Sequence, residues 1–248
     1  ITSNRLKKFR LKANGVSYVT EHSIQKHYPA YSMLHGETNE HFHTYYSTIT
    51  LSDNAFTGPR DFTNNVSIKL VLSSVAMNSE RKGEKVVIET VKKCRDLGYE
   101  VSAILIGDGT LRKSFEDYAN QLGIDQYIEF TGLLPSSEHV REVMQNADMF
   151  VFPTMGEGLP RGILEAMAIG MPVLSTPVGG IPEVIDRRYL FDPLDSDGFA
   201  KMICHLIDNK RELNEMSNSN YIKSLQFRNE LLQCRRDQFY TKLKELVK

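Results

Sequence analysis

The apolar positions along this chain change period repeatedly, and each change marks an element. Between Val66 and Phe191, short apolar runs alternate with segments whose apolar residues recur every three or four positions. Residues 68–75, 101–106, 127–131, 149–152, 171–175 and 189–191 have strand length and are bounded by glycine, proline or polar residues, as buried strands are. Residues 84–97 keep Val87, Val91, Cys94 and Leu97 on one helical face, and Gly98 stops that helix. Residues 111–122 form a helix that stops at Gly123, and Ser136 or Ser137 caps another that runs to about Asn146. A helix over 160–169 starts on Pro160, which has no N–H to lose there, and ends at Gly170. A further helix covers 196–207. Strands alternating with helices predict an α/β fold with a doubly wound parallel sheet, whose ligand sits at the carboxyl ends of the strands.

The flanks read differently. Residues 2–14 form a basic amphipathic helix, with Leu6, Phe9 and Ala13 on one side and Arg5, Lys7, Lys8, Arg10 and Lys12 around it. It is either a solvated face or a helix for an anionic surface or partner. A short strand at 16–20 and a helix at 21–28, closed by Pro29, follow. His35, His41 and His43 share a polar loop, but no carboxylate or cysteine pattern makes them metal ligands. Residues 45–51 alternate weakly, as a linker strand would, and 52–65, with Gly58-Pro59, read as loop and domain boundary. Residues 211–248 form two terminal helices. Leu231, Leu232, Phe239, Leu243 and Leu246 supply a face that packs on the helix's own domain or on the N-terminal one.

The helix at 160–169 carries the candidate chemistry. Ile163, Leu164, Ala166, Met167, Ala168 and Ile169 leave it almost no polar face, so it is buried. Glu165 nevertheless sits in its middle, and a buried carboxylate is costly without a partner. Either it pairs with Arg161 one turn earlier, or it points into a ligand site. Just before the helix, Gly156-Glu157-Gly158 makes a flexible loop leading to free N–H groups at a helix start, a natural anion site. A hydroxyl-rich ligand bearing phosphate, a nucleotide-sugar, fits this set.

Composition narrows the class. With 41% apolar and 25% charged residues the chain is of ordinary globular type, and a net charge of -1 gives no field that would recruit nucleic acid. Three widely spaced cysteines make neither a disulfide framework nor a metal site and point to a reducing compartment. No apolar run has the length of a membrane span, and no signal peptide is evident.

Glu157, seven residues, Glu165, then Ala166-Met167-Ala168, Gly170, Pro172-Val173 and Gly179-Gly180-Ile181-Pro182-Glu183 closely resemble the retaining group-1 (family 4) glycosyltransferases of GT-B fold, over roughly residues 66–190. The resemblance implies the C-terminal, Rossmann-like half of that fold. Residues 1–50 would be the tail of a mostly missing acceptor domain, 51–65 a linker, 66–227 the nucleotide-sugar domain and 228–248 a helix crossing to the N-terminal domain. It implies transfer from a UDP-, GDP- or ADP-sugar to a glycan or lipid-linked acceptor, with no metal or other cofactor required. Glu165 would take the ribose hydroxyls and Glu157 would lie beside the transferred sugar. Gly158, Leu159 and Arg161 would face phosphate and sugar, and Gly132 and Leu133 the base, with Gly107 on a neighbouring ligand loop. Lys82-Gly83 matches the family's phosphate clamp, but Val75-Ala76-Met77 lacks its usual arginine, for which Arg81 or Arg161 would substitute. A cytoplasmic enzyme, with peripheral membrane contact in the full-length protein, is the corresponding expectation. Because the chain begins at Ile1, it reads as a fragment that binds donor without turnover. A nucleotide-sugar-binding module without catalysis is the main rival, suggested by the absent arginine. A GT-B-like epimerase or phosphorylase is a further rival, although no cofactor-anchoring lysine pattern stands out.

Overall fold

The computed structural model describes residues 3–246. In chain order the elements are α1 (Ser3–Phe9), β1 (Gly15–Tyr18), α2 (Ser23–His27), α3 (Tyr31–His35), β2 (Phe42–Tyr45), β3 (Ile68–Ala76), α4 (Glu84–Asp96), β4 (Val101–Asp108), α5 (Arg112–Gln121), β5 (Ile128–Gly132), α6 (Ser137–Gln145), β6 (Met149–Phe152), α7 (Arg161–Ala168), β7 (Val173–Ser175), α8 (Ile181–Val184), α9 (Ser196–Asp208), α10 (Lys210–Ser224) and α11 (Asn229–Glu245). Five strands form one parallel sheet in the order β5-β4-β3-β6-β7, and helices cover both faces, which is the Rossmann-like arrangement of a GT-B half. Leu70, Val71, Leu72, Phe150 and Val151 are fully buried, so the middle of the sheet is the middle of the core. From the linker, the Arg60 guanidinium donates to the carbonyls of Ile169, Ala147 and Met144 at the ends of α7 and α6.

Four expectations are corrected. The first helix is shorter: the N–H groups of Lys12 and Ala13 both turn back to the Phe9 carbonyl, which ends the α-helical ladder, while Thr2 lies outside the described residues. The linker strand lies earlier, at β2, which pairs in parallel with β1. Tyr46, Ile49 and Leu51 instead bury as irregular chain. Residues 189–191 add no strand, because Leu190 makes only an isolated bridge to Ser175 after Asp186 has turned the chain by accepting from the Arg188 N–H. Leu97 is exposed and leaves the face that Val87, Val91 and Cys94 share. His35 and His41 both lie against Tyr31, each ring tilted to it with centroids 4.3 Å apart, and His43 lies in β2.

The N-terminal segment packs on α11 and is hydrogen-bonded to α8. Phe239 of α11 meets Phe42 edge-on at 5.5 Å and Tyr46 at 6.3 Å, and Leu232 is fully buried, whereas Leu231 and Leu246 remain exposed. Glu183 of α8 accepts the backbone N–H groups of Glu21 (2.7 Å), His22 (3.0 Å) and Ser23 at the start of α2. Burial raises the Glu183 carboxyl, but these hydrogen bonds outweigh it and hold the group below its ordinary value. A depressed carboxyl stabilises the attachment above pH about 4.5 and loses that contribution as pH falls through the folded value. Glu183→Gln should therefore weaken the attachment by about 1–2 kcal/mol near neutral pH. Amide exchange at Glu21–Ser23, corrected for intrinsic rates, should speed up below pH about 4.5 in the wild type, and should be fast and lose that pH dependence in the variant. Among the described residues no helix is long and apolar enough to cross a membrane.

Candidate functional site

The strand order reverses direction between β3 and β6: β4 and β5 lie to one side, β7 to the other. Loops leaving these two strands diverge, and a crevice opens at their carboxyl ends. A cavity of about 770 Å³ occupies it, a volume suited to a ligand of nucleotide-sugar size.

The wall from β3 consists of Ser73, Ser74, Val75 and Ala76. Met77 turns inward and is fully buried, whereas Val75 and Ala76 line the cavity. Lys82 follows in a short turn that Gly83 closes at φ +90°. A Cβ on Gly83 would stand 2.6 Å from the Pro153 carbonyl, so glycine is what lets the start of α4 approach the loop after β6. Lys82 Nζ bonds across the crevice to the carboxylate of Glu157, 75 residues away, and lies 5.5 Å over the Phe152 ring. This pair spans the switch point.

The Glu157 loop is held from two sides. Below it, the Arg81 carbonyl accepts from the Met155 N–H at 2.9 Å. Beside it, the Gly180 N–H donates to the Gly158 carbonyl at 2.5 Å. The loop feeds α7, with Pro160 at the N-cap. The first N–H groups of α7 have no partner within the helix and lie on the cavity side, where Gly158, Leu159, Arg161 and Gly162 line the wall.

Glu165 opens on the same cavity. Its side chain is 11% exposed, and the nearest counter-charge is Nη1 of Arg141 on α6, at 3.9 Å. The ion-pair partner is thus Arg141 and not the Arg161 expected from helical spacing. Among the described residues no donor reaches hydrogen-bond distance of the Glu165 carboxylate. Burial pushes its carboxyl up, and Arg141 and then Arg161 pull it back. A largely buried, under-partnered carboxylate on a cavity wall is suited to accept ligand hydroxyls.

Six of the residues singled out in the sequence meet on this cavity: Lys82, Glu157, Gly158, Leu159, Arg161 and Glu165. Four do not form its wall. Gly107, at φ +136°, would place a Cβ 1.6 Å from the Ser74 carbonyl, so it backs the wall by letting β3 and β4 close up. Gly132 sits against the Arg112 guanidinium, and Leu133 projects outward at 64% exposure, while its neighbour Leu134 lines the cavity. Arg81 lies against Gly156, behind the loop. Val19 and Thr48, from the N-terminal segment, complete the wall and carry no local sequence signal.

A family model described as Glycosyl transferases group 1 matches residues 69–209. Protein CapJ of Staphylococcus aureus is 27% identical over 189 residues, covering 75% of this chain and 47% of that protein. The putative colanic acid biosynthesis glycosyltransferase WcaL of Escherichia coli is 32% identical over 158 residues, covering 54% of this chain and 39% of that protein. The chain therefore spans less than half the length of these relatives. Among solved structures, Anabaena Alr3699/HepE in complex with UDP superposes with a TM-score of 0.75 at 20% identity, over 99% of this chain and 68% of that one. The pneumococcal O-GlcNAc transferase GtfA in complex with UDP and GlcNAc does so at 0.75 and 14% identity, over 97% and 47%.

Proposed function

The chain belongs to the group 1 glycosyl transferases, and from that premise we propose that it is the donor-binding half of a retaining enzyme of polysaccharide biosynthesis. The enzyme moves a hexosyl-type sugar from a nucleoside diphosphate sugar to a glycan or lipid-linked acceptor. The observation that carries this reading is the placement of two acidic groups in one cavity. The buried, under-partnered Glu165 faces one part of it and the Glu157–Lys82 pair another.

In this reading the ribose hydroxyls donate to Glu165. The diphosphate lies against the N–H groups at the start of α7, where the helix dipole favours negative charge. Lys82 exchanges its bond to Glu157 for the phosphate as charge develops on the leaving group. Glu157, thereby released, takes the hydroxyls of the transferred sugar. Arg161 on the rim supplies the second cation that Ala76 does not. HepE and GtfA hold UDP in their structures, and WcaL is named a putative colanic acid biosynthesis glycosyltransferase; both facts support the reading.

Glu165→Ala should weaken nucleotide binding at least tenfold, on the order of 1.4 kcal/mol. Calorimetry with whichever of UDP, GDP and ADP binds tightest checks this. An unchanged affinity removes the ribose role, and failure of all three to bind removes the reading. The alanine at position 76 favours a second reading, a nucleotide-sugar-binding module without catalysis. Sugar transfer by the full-length protein rejects that module.

A further inference from the structure

Arg141 was not singled out by any local motif, yet it stands closest in charge to the most unusual carboxylate in the cavity. It lies in the middle of α6, one residue beyond Val140, which lines the cavity wall. Its side chain is 13% exposed and that of Glu165 11%, so the two charges face each other largely out of water. Their separation of 3.9 Å is an ion-pair distance and too long for a hydrogen bond. The charged groups acting on Glu165 are Arg141 from α6 and Arg161 from α7 itself; α10, β6 and β7, which also pack on α7, add none.

This separation matters chemically. An ionised carboxylate is an acceptor at both oxygens, whereas a protonated one uses its proton as a donor and has less capacity for two hydroxyls. Burial favours the protonated form. A guanidinium bonded directly to Glu165 would keep it charged but would occupy the lone pairs the ligand needs. A guanidinium held 3.9 Å behind it keeps the charge and leaves the oxygens open. Arg161, exposed on the rim, is better screened and less able to do this.

We propose that Arg141 is a positioning residue that holds Glu165 ionised and turned toward the cavity, so that it accepts two hydroxyls of the bound nucleotide. The inference rests on the reading of Glu165 as the ribose acceptor. It adds a residue from a different helix, and with it a pH dependence of donor binding.

Two measurements on the described chain test it. The Glu165 carboxyl, followed by carbon-13 NMR without ligand, should titrate about two pH units higher in Arg141→Met than in wild type, and near the wild-type value in Arg141→Lys. Calorimetry with the tightest binder among UDP, GDP and ADP should show Arg141→Met weakened about tenfold at pH 6, with most of the loss recovered at pH 8.5. Arg141→Lys should bind within about threefold of wild type at both pH values. A loss of the same size at both pH values marks a packing effect and overturns the inference, as does an unshifted Glu165 titration. If Glu165→Gln weakens binding and Arg141→Met does not, only the role of Arg141 falls. If Glu165→Gln itself binds normally, the ribose reading falls with it.

Discussion

Lys82→Ala is expected to lower sugar transfer by the full-length protein by roughly 10²–10³-fold, about 3–4 kcal/mol of transition-state stabilisation. The effect on nucleotide affinity should be smaller, about fivefold, since in the proposed reading the first N–H groups of α7 and Glu165 still hold the nucleotide. Lys82 crosses the switch point and is the cation nearest Glu157. Without it, the carboxylate of Glu157 would lie beside the donor phosphates with its charge uncompensated. Repulsion would then add to the loss of leaving-group stabilisation. Lys82→Arg keeps a cation but not its compact point charge, and should recover part of the rate. Single-turnover transfer from a radiolabelled donor, with affinity measured in parallel, separates the two effects. A transfer rate for Lys82→Ala within threefold of wild type would mean that leaving-group charge is stabilised elsewhere.

The features legible in the sequence were those encoded over ten or so neighbouring residues. The loop at Gly156-Glu157-Gly158, the proline start and glycine stop of α7, and the buried Glu165 within it are all local patterns. So were the three inner strands, β4, β3 and β6, whose apolar runs are long enough to declare themselves. The partner of Glu165 was not legible. Helical spacing offers Arg161, but Arg141 comes from another helix, and only the docking of α6 beside α7 brings it near. That Val75 and Ala76 line the cavity was hidden for a similar reason. A bulge in β3 between Ser73 and Ala76 shifts its pairing with β4, and Met77 rather than Ala76 turns into the core. Residues 189–191 look like a strand because they are apolar and short, but strand formation needs a partner over several residues and Leu190 bridges β7 only once. Gly107 and Gly132 read as ligand loops because glycine marks close approach. In both cases the approaching group is the protein itself, the Ser74 carbonyl or the Arg112 guanidinium.

Gly179→Ala should cost both stability and nucleotide binding, and one control separates the two causes. Gly179 has φ +57°, a left-handed conformation in which an L-residue is strained by about 1–2 kcal/mol. Gly123, at φ +67°, shares that conformation, but a Cβ there meets nothing within 4 Å. Gly123→Ala thus measures strain alone, and should lower Tm by about 2–6 °C. At Gly179 the added Cβ would stand 1.9 Å from the Glu157 carbonyl and 2.6 Å from that of Gly158. Both obstacles are backbone, so no side-chain rotation relieves them, and the loop carrying Glu157 must move. Total destabilisation of about 3–4 kcal/mol, a fall in Tm of about 8–14 °C, is the expected result. Displacement of that loop also pulls Glu157 from Lys82 and shifts the entry to α7, so affinity for the nucleoside diphosphate should fall more than tenfold even well below Tm. Gly123→Ala, remote from the cavity, should bind normally. If Gly179→Ala lost no more stability than Gly123→Ala and bound nucleotide as well as the wild type, the Gly179-Gly180 turn could not be what holds the Glu157 loop in place.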